Sequence, residues 1–379
     1  MDGVISTLSD LVSINSVNPE WNGPGERKVS DYISGFFRDV GISVEIDEVL
    51  PGRSNVIVHV QGVSSADPVL FEAHMDTVSV DGMTIPPFEP LVSNGKLYGR
   101  GACDTKAALA AMMHAVRDVA LSGEKPPRDI IFAAVVDEEH AFRGVLGLIE
   151  WLKRNEILPG AAVVAEPTEL RLVRANKGVL RWRIETRGKA SHSSKPHLGD
   201  NAIVRMSEVI RELEEQNELM KENSHLLLGS GTCCISMIEG GEQVNFVPSR
   251  CTIHLDRRLL PGESVTQILS DYRKSFSKYP EGTVDVLSPD LADEAMETPV
   301  SEAVVQVGMS VLAEMKLESE PCGVPFGCDV TKLSRFGIPG VIFGPGSIDQ
   351  AHADVEYVDV NEVEMAFDFY RRFLLNYGL

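Results

Sequence analysis

Between positions 26 and 40 apolar residues recur three and four apart, so that Val29, Ile33, Phe36, Phe37 and Val40 share one face, and Gly41 follows. This period predicts a helix packed on a core and stopped at the glycine. Apolar runs without that period at 55–60, 68–73, 129–136, 161–165 and 340–343 read as buried strands. Helical grammar returns at 105–121, rich in Ala, Met and Leu, and at 361–377, where Val363, Ala366, Phe367, Tyr370 and Leu374 line up. Strands alternating with helices predict an α/β sheet.

The pattern changes between about 178 and 289. A strand at 179–186 alternates Leu180, Trp182 and Ile184 with polar residues, as in a sheet with one buried face. A long charged helix (201 to about 221), strands at 232–238 and 245–255, a helix at 263–277 and a strand at 283–287 complete a β-α-β-β-α-β order, the ferredoxin-like plan. Because α/β grammar resumes afterwards, 178–289 reads as a domain inserted into a larger one made of 1–177 and 290–379. No internal repeat or low-complexity tract is evident.

With 43% hydrophobic residues in 379, the chain has material for a large core. No apolar run approaches the ~20 residues of a membrane span, and the first twenty residues lack the basic start and apolar stretch of an export signal. Cytoplasm is the expected compartment, and no membrane partner is expected. The net charge of −21 repels a phosphate backbone and argues against nucleic acid. Six cysteines without paired CxxC knuckles read mostly as small buried apolar residues in a reducing environment.

Candidate chemistry gathers directly after the strand runs. His74 and Asp76 follow PVLFEA, Glu138 and Glu139 follow DIIFAAVV, Glu166 follows AAVVA, and His352 lies nine residues beyond the end of the 340–343 run. Asp104 precedes the helix that starts near 105. Ligands of open α/β sheets collect at the carboxyl ends of strands, so these side chains have a common destination. Imidazole mixed with carboxylate suits zinc, whereas oxygen alone would favour magnesium or calcium. Two histidines and three carboxylates exceed what one tetrahedral ion with an open position needs, and suit two ions sharing a carboxylate and a water.

In this order and spacing AHMDTV, GRGACDTK, DEEH, AEPT and GPGSIDQAH resemble the M20 metallopeptidases, a family that includes acetylornithine deacetylases, succinyl-diaminopimelate desuccinylases, aminoacylases and glutamate carboxypeptidases. The resemblance runs from SINSVNP to the last histidine and includes the insert. It implies two Zn2+ ions, with Co2+ or Mn2+ as substitutes. Asp104 would bridge them, His74 and Glu166 would complete one site, and Glu139 and His352 the other. Glu138 would be the general base, and Asp76 would hydrogen-bond the second nitrogen of His74.

The resemblance also makes the insert a lid and dimerisation domain, whose His192, in GKASHSSKPHLGDNAI, would stabilise an oxyanion in the active site of the other subunit of a homodimer. Asn245, in GGEQVNFVPSR, would contact the oxyanion region, and Arg258, in HLDRRLLPGES, the substrate carboxylate, with Arg257 an open alternative. His197 and His140 match no functional position, and Gly344 and Gly346 would shape the loop leading to His352. One departure is Thr105-Lys106-Ala107-Ala108, where many members have Met-Lys-Gly-Gly. The implied activity is hydrolysis of the amide bond of an N-acyl amino acid. A carboxypeptidase or dipeptidase acting on short peptides is the alternative, and a non-catalytic metal-binding relative stands behind both.

Overall fold

The computed structural model describes residues 3–379, which form two compact units. The first holds the described residues up to Arg174 together with Thr298–Cys322 and Cys328–Leu379. Its sheet runs, in spatial order, Val44–Leu50, Arg53–Val60, Arg128–Val135, Ser64–His74, Ala161–Val164 and Gly340–Ile342. The strands Arg128–Val135, Ser64–His74, Ala161–Val164 and Gly340–Ile342 are mutually parallel, so their carboxyl ends open on one edge. Val44–Leu50 and Arg53–Val60 are antiparallel additions on one side. Val44–Leu50 mixes Glu45, Asp47 and Glu48 with apolar residues and gave no clear period, which is why only its partner was expected.

Alternation sorts each strand between two layers. Val56, Val58, Val69, Phe71, Ile130, Phe132 and Val163 join a core with the helices Val4–Ser13, Arg27–Arg38, Lys106–Leu121, Ala303–Glu314 and Val360–Asn376. Their sequence neighbours, such as Ile57, Leu70 and Ile131, are also buried, and the helices Arg143–Arg154 and Val330–Arg335 pack on strands of the same sheet. Strands buried on both faces explain the unbroken apolar runs of the sequence. Lys106–Leu121 is covered on nearly every side by the first and last helices and by the sheet, and its alanines permit that close approach. Phe343 stacks on Phe369 at 3.8 Å, and the Tyr370 hydroxyl donates to the Phe343 carbonyl at 2.6 Å, fixing the last helix over the strand that leads to His352.

The second unit holds Ala175–Glu297 and Gly323–Gly327. Its antiparallel sheet has the order Thr232–Gly240, Arg250–Leu259, Gly178–Arg187, Val284–Val286. The helices Ala202–Met220 and Val265–Phe276 contribute Met206, Val209, Leu213, Ile268 and Tyr272 to a core with Leu180, Trp182, Ile184 and Ile253. This is the β-α-β-β-α-β plan expected of the insert.

Its boundaries are wider than 178–289. Leu291–Asp293 pairs with Gly178–Arg187 as a further antiparallel strand and keeps the following residues in this unit. A second correction concerns 245–255: the strand begins only at Arg250, because Pro248 cannot donate to a ladder, and Asn245 lies in the preceding loop. A short hairpin, Ser224–His225 with Gly229–Ser230, was not foreseen.

Candidate active site

All five expected ligands and the expected base belong to the first unit, and the parallel sheet delivers most of them to one edge. His74 closes its strand opposite Val135, and Glu72 is in register with Val164, so the segments reaching Glu138 and Glu166 emerge beside His74. After Val135 the chain turns through Asp137, at φ 64°, into the four-residue helix Glu138–Ala141. Asp104 comes from the loop ahead of Lys106–Leu121, and His352 adopts φ 60° at the end of its loop.

Asp104 sits at the centre. Its Oδ1 lies 3.0 Å from His74 Nε2 and its Oδ2 lies 3.2 Å from His352 Nε2, while His352 Nε2 is also 3.2 Å from Glu139. Ligand atoms of His74, Asp104 and Glu166 fall within 4.8 Å of one another, and so do those of Asp104, Glu139 and His352. The two groups share Asp104 alone, whose two oxygens face different histidines. His74, Asp104, Glu138 and Glu166 are buried, whereas the His352 side chain is 52% exposed and marks the open side.

The electrostatics are those of a site short of positive charge. Burial first, then neighbouring carboxylates, push Glu138 and Glu166 well above the usual range and Glu139 up to about 7. Burial works against the charge of His74, yet Asp104 and Asp76 raise it well above its ordinary value. Hydrogen bonds to Asp104 and Glu139 raise His352 to about 10, and the two histidines hold Asp104 low against the effect of its burial. Four clustered carboxylates with only two imidazoles leave excess negative charge that two divalent cations would neutralise, and mixed N and O donors suit zinc, cobalt or manganese. The residues present therefore fit a dinuclear centre.

Asp76 does something the sequence did not suggest. His74 Nδ1 finds the Asp76 main-chain oxygen at 3.0 Å, while the carboxylate is 3.6 Å away, beyond hydrogen-bond reach. The carboxylate instead accepts the backbone N–H of Glu138 at 3.1 Å and of Glu139 at 3.2 Å, and the Asn18 amide at 2.8 Å. One side chain thus holds the backbone of both the expected base and its ligand neighbour.

Residues 70–376 match peptidase family M20/M25/M40. The chain belongs to this family. An acetylornithine deacetylase of Vibrio campbellii is 29% identical over 99% of this chain and 97% of its own. The aminopeptidase PepT of Bacillus cereus has a TM-score of 0.79 at 21% identity, covering 99% of this chain and 98% of that one. A dinuclear metal-binding M20 peptidase of Bacillus subtilis has a TM-score of 0.74 at 16% identity, covering 98% and 96%. As an M20 member the protein is a metal-dependent amidohydrolase.

The M20 site rests on a buried network that sequence reasoning missed. Asn18 joins Asp76 to Asp137, and Arg53 pairs with both Asp137 and Glu26. Asn18 stands in SINSVNP and Asp137 opens DEEH, so both lay inside quoted motifs. Glu26 and Arg53 had no such signal. Glu72 and Asp329 are a second buried acidic pair below His74, and burial drives both upward, Asp329 to about 6. His140 faces Glu20 at 3.6 Å and lies in neither ligand group.

The remaining expected site residues belong to the second unit. His192 is exposed, and the Ser194 N–H donates to its Nδ1 at 3.2 Å, which leaves the proton on Nε2. The Ser193 N–H donates to the Asn245 carbonyl at 2.8 Å, so the His192 and Asn245 loops are joined. Arg257 is buried and bound to Glu263 at 2.6 Å and the Tyr272 hydroxyl at 3.3 Å. Arg258 bonds Asp256 through Nε at 3.0 Å. His197 sits exposed in the short helix Pro196–Leu198.

Proposed function

We propose that this protein hydrolyses the amide bond of an N-acyl amino acid at a dinuclear centre held by His74, Asp104, Glu139, Glu166 and His352. The observation that carries the reading is the placement of Asp104, one oxygen toward each histidine, with Glu138 and Glu139 adjacent and backbone-clamped by Asp76. The deacetylase relative aligned along almost its whole length supports an acyl amino acid over a peptide. A short peptide is the second reading, supported by the fold shared with PepT.

Two divalent cations held by these residues would polarise the substrate carbonyl and make the attacking water more acidic. Glu138 takes the proton of that water as it attacks, and returns it to the leaving amine nitrogen. Its side chain, buried beside the ligand cluster, is placed to hold the proton between those steps. The Asp76 clamp keeps Glu138 and Glu139 on their separate tasks. His192, with its proton on Nε2, is suited to donate to the oxyanion, Asn245 to assist it, and Arg258 to receive the substrate carboxylate, Arg257 being occupied by Glu263.

A homodimer is part of the proposal. Thr232–Gly240 is an edge strand, and Met237, Ile238, Phe246, Ile203 and Val204 are exposed apolar residues of the same unit, a surface suited to a second copy of the chain. Among the described residues no helix is long and apolar enough to cross a membrane, and the six free cysteines agree with the reducing cytoplasm we assign.

The test is metal content per chain together with turnover of N-acetylornithine, N-succinyl-diaminopimelate, N-acetylmethionine and a Glu-terminated dipeptide. Two ions per chain, deacylation, and a 10²- to 10⁴-fold loss of kcat in Glu138→Gln with metal retained are expected. Less than one ion per chain refutes the centre, and turnover of the dipeptide alone moves the substrate class. Sedimentation velocity reads the dimer.

A further inference from the structure

One buried carboxylate outside the proposed chemistry connects the two loops that meet at the cluster. Glu356 is fully buried and lies four residues after His352. Its Oε2 accepts from Arg100 Nη1 at 2.7 Å and from the Gly101 N–H at 3.0 Å. Its Oε1 accepts from the N–H groups of Cys103 at 2.9 Å and Asp104 at 3.1 Å. Its main-chain oxygen accepts from the Gly99 N–H at 3.1 Å. The 99–104 loop is therefore wrapped around a single residue, with three backbone amides converging on its carboxylate as in an anion nest and one guanidinium balancing its charge.

We propose that Glu356 is a positioning residue of the dinuclear centre, holding the Asp104 loop and the His352 segment as one piece so that Asp104 faces both metal positions at once. The inference rests on the dinuclear reading above. Asp104 is the only side chain common to both ligand groups, and its own N–H is one of those Glu356 holds, so a shift of its backbone reaches both positions together. A core acid with a purely structural task has no reason to gather the amides of the loop that carries the bridging ligand. Glu356→Gln replaces one acceptor oxygen by an NH2 group, which in either orientation faces two donors.

Zinc affinity is measured by competition with a chromogenic chelator, and coordination by the absorption spectrum of the cobalt-loaded protein, for wild type and Glu356→Gln. Leu312→Ala, which opens a cavity in the same core, serves as the stability control. Glu356→Gln is expected to weaken both affinities by about 10- to 100-fold and to change the cobalt spectrum, while Leu312→Ala leaves both as in wild type. Wild-type affinities and an unchanged spectrum in Glu356→Gln, or equal weakening in Leu312→Ala, overturn the inference. If Glu356→Gln does not fold, Glu356→Asp keeps the charge but draws it back by one methylene; it should weaken both affinities, and wild-type values there overturn the inference. Wild-type protein that binds neither ion refutes the dinuclear reading itself, and this inference with it.

Discussion

Stripped of metal, the protein should lose stability as the pH rises from about 4.5 to about 7, and Glu139 should account for much of that loss. Its carboxyl is raised from 4.5 to about 7, by burial first and then by Asp104, and its side chain is only 7% exposed. Across that window the folded state keeps a proton that the unfolded chain has released, so the folded state binds more protons and stability falls with pH. At about 1.4 kcal/mol per pH unit, the rise corresponds to about 3 kcal/mol. Glu138, Glu166 and Asp329 shift in the same direction, while His114, pushed down to about 4 by burial and Arg117, opposes them. Lys106, lowered to about 7, and His352, raised to about 10, change the balance mainly above the window.

Comparison with Glu139→Gln isolates the group. Urea unfolding in EDTA at about pH 5, 6 and 7 should show the stability of wild type relative to Glu139→Gln falling by about 2 kcal/mol over the series, the rest of the loss lying below pH 5. Zinc at a thousandfold excess over its Kd should return about 4 kcal/mol to wild type at pH 7, since the ion takes the place of the protons. Parallel pH profiles for the two proteins would refute the reasoning.

Asp76→Asn must turn an NH2 toward the Glu138 N–H or toward Asn18 and the Glu139 N–H; it should cost about 1–3 kcal/mol in urea unfolding and weaken zinc binding about 10- to 100-fold by chelator competition. Gly344→Ala places a Cβ 2.6 Å from the Glu166 carbonyl and 3.2 Å from Ala108 Cβ, so Glu166 must move and metal analysis should find fewer than two ions per chain. Phe369→Ala removes the ring stacked on Phe343 and should cost about 3–5 kcal/mol, read as a lower urea midpoint of the first unit.

Much of the fold was legible from residue pattern. The 161–165 and 340–343 runs are doubly buried strands, and the helix expected at 26–40 appears as Arg27–Arg38, with the Gly41 N–H donating to the Arg38 carbonyl. The insert was recognisable because Leu180, Trp182 and Ile184 alternate with polar residues, a period that only a one-faced sheet produces. Missed elements had ambiguous patterns, as in Val44–Leu50, or depend on distant partners, as in Lys96–Tyr98, which lies between Leu91–Ser93 and the far-off Tyr357–Asp359 only in the folded chain.

The sequence by itself determined the inventory of the site: which residues carry imidazole and carboxylate, and that each follows a strand or precedes a helix. Local pattern suffices there because burial period and strand ends are properties of neighbouring residues. Tertiary structure alone decided how those groups are held. That Asp76 clamps two glutamate amides rather than the imidazole, that Arg53 closes a network with Glu26 and Asp137, and that Glu356 gathers the Asp104 loop all depend on contacts between segments far apart in the chain. A hydrogen bond is fixed by distance and angle to a few tenths of an ångström, and spacing along the chain carries no such information.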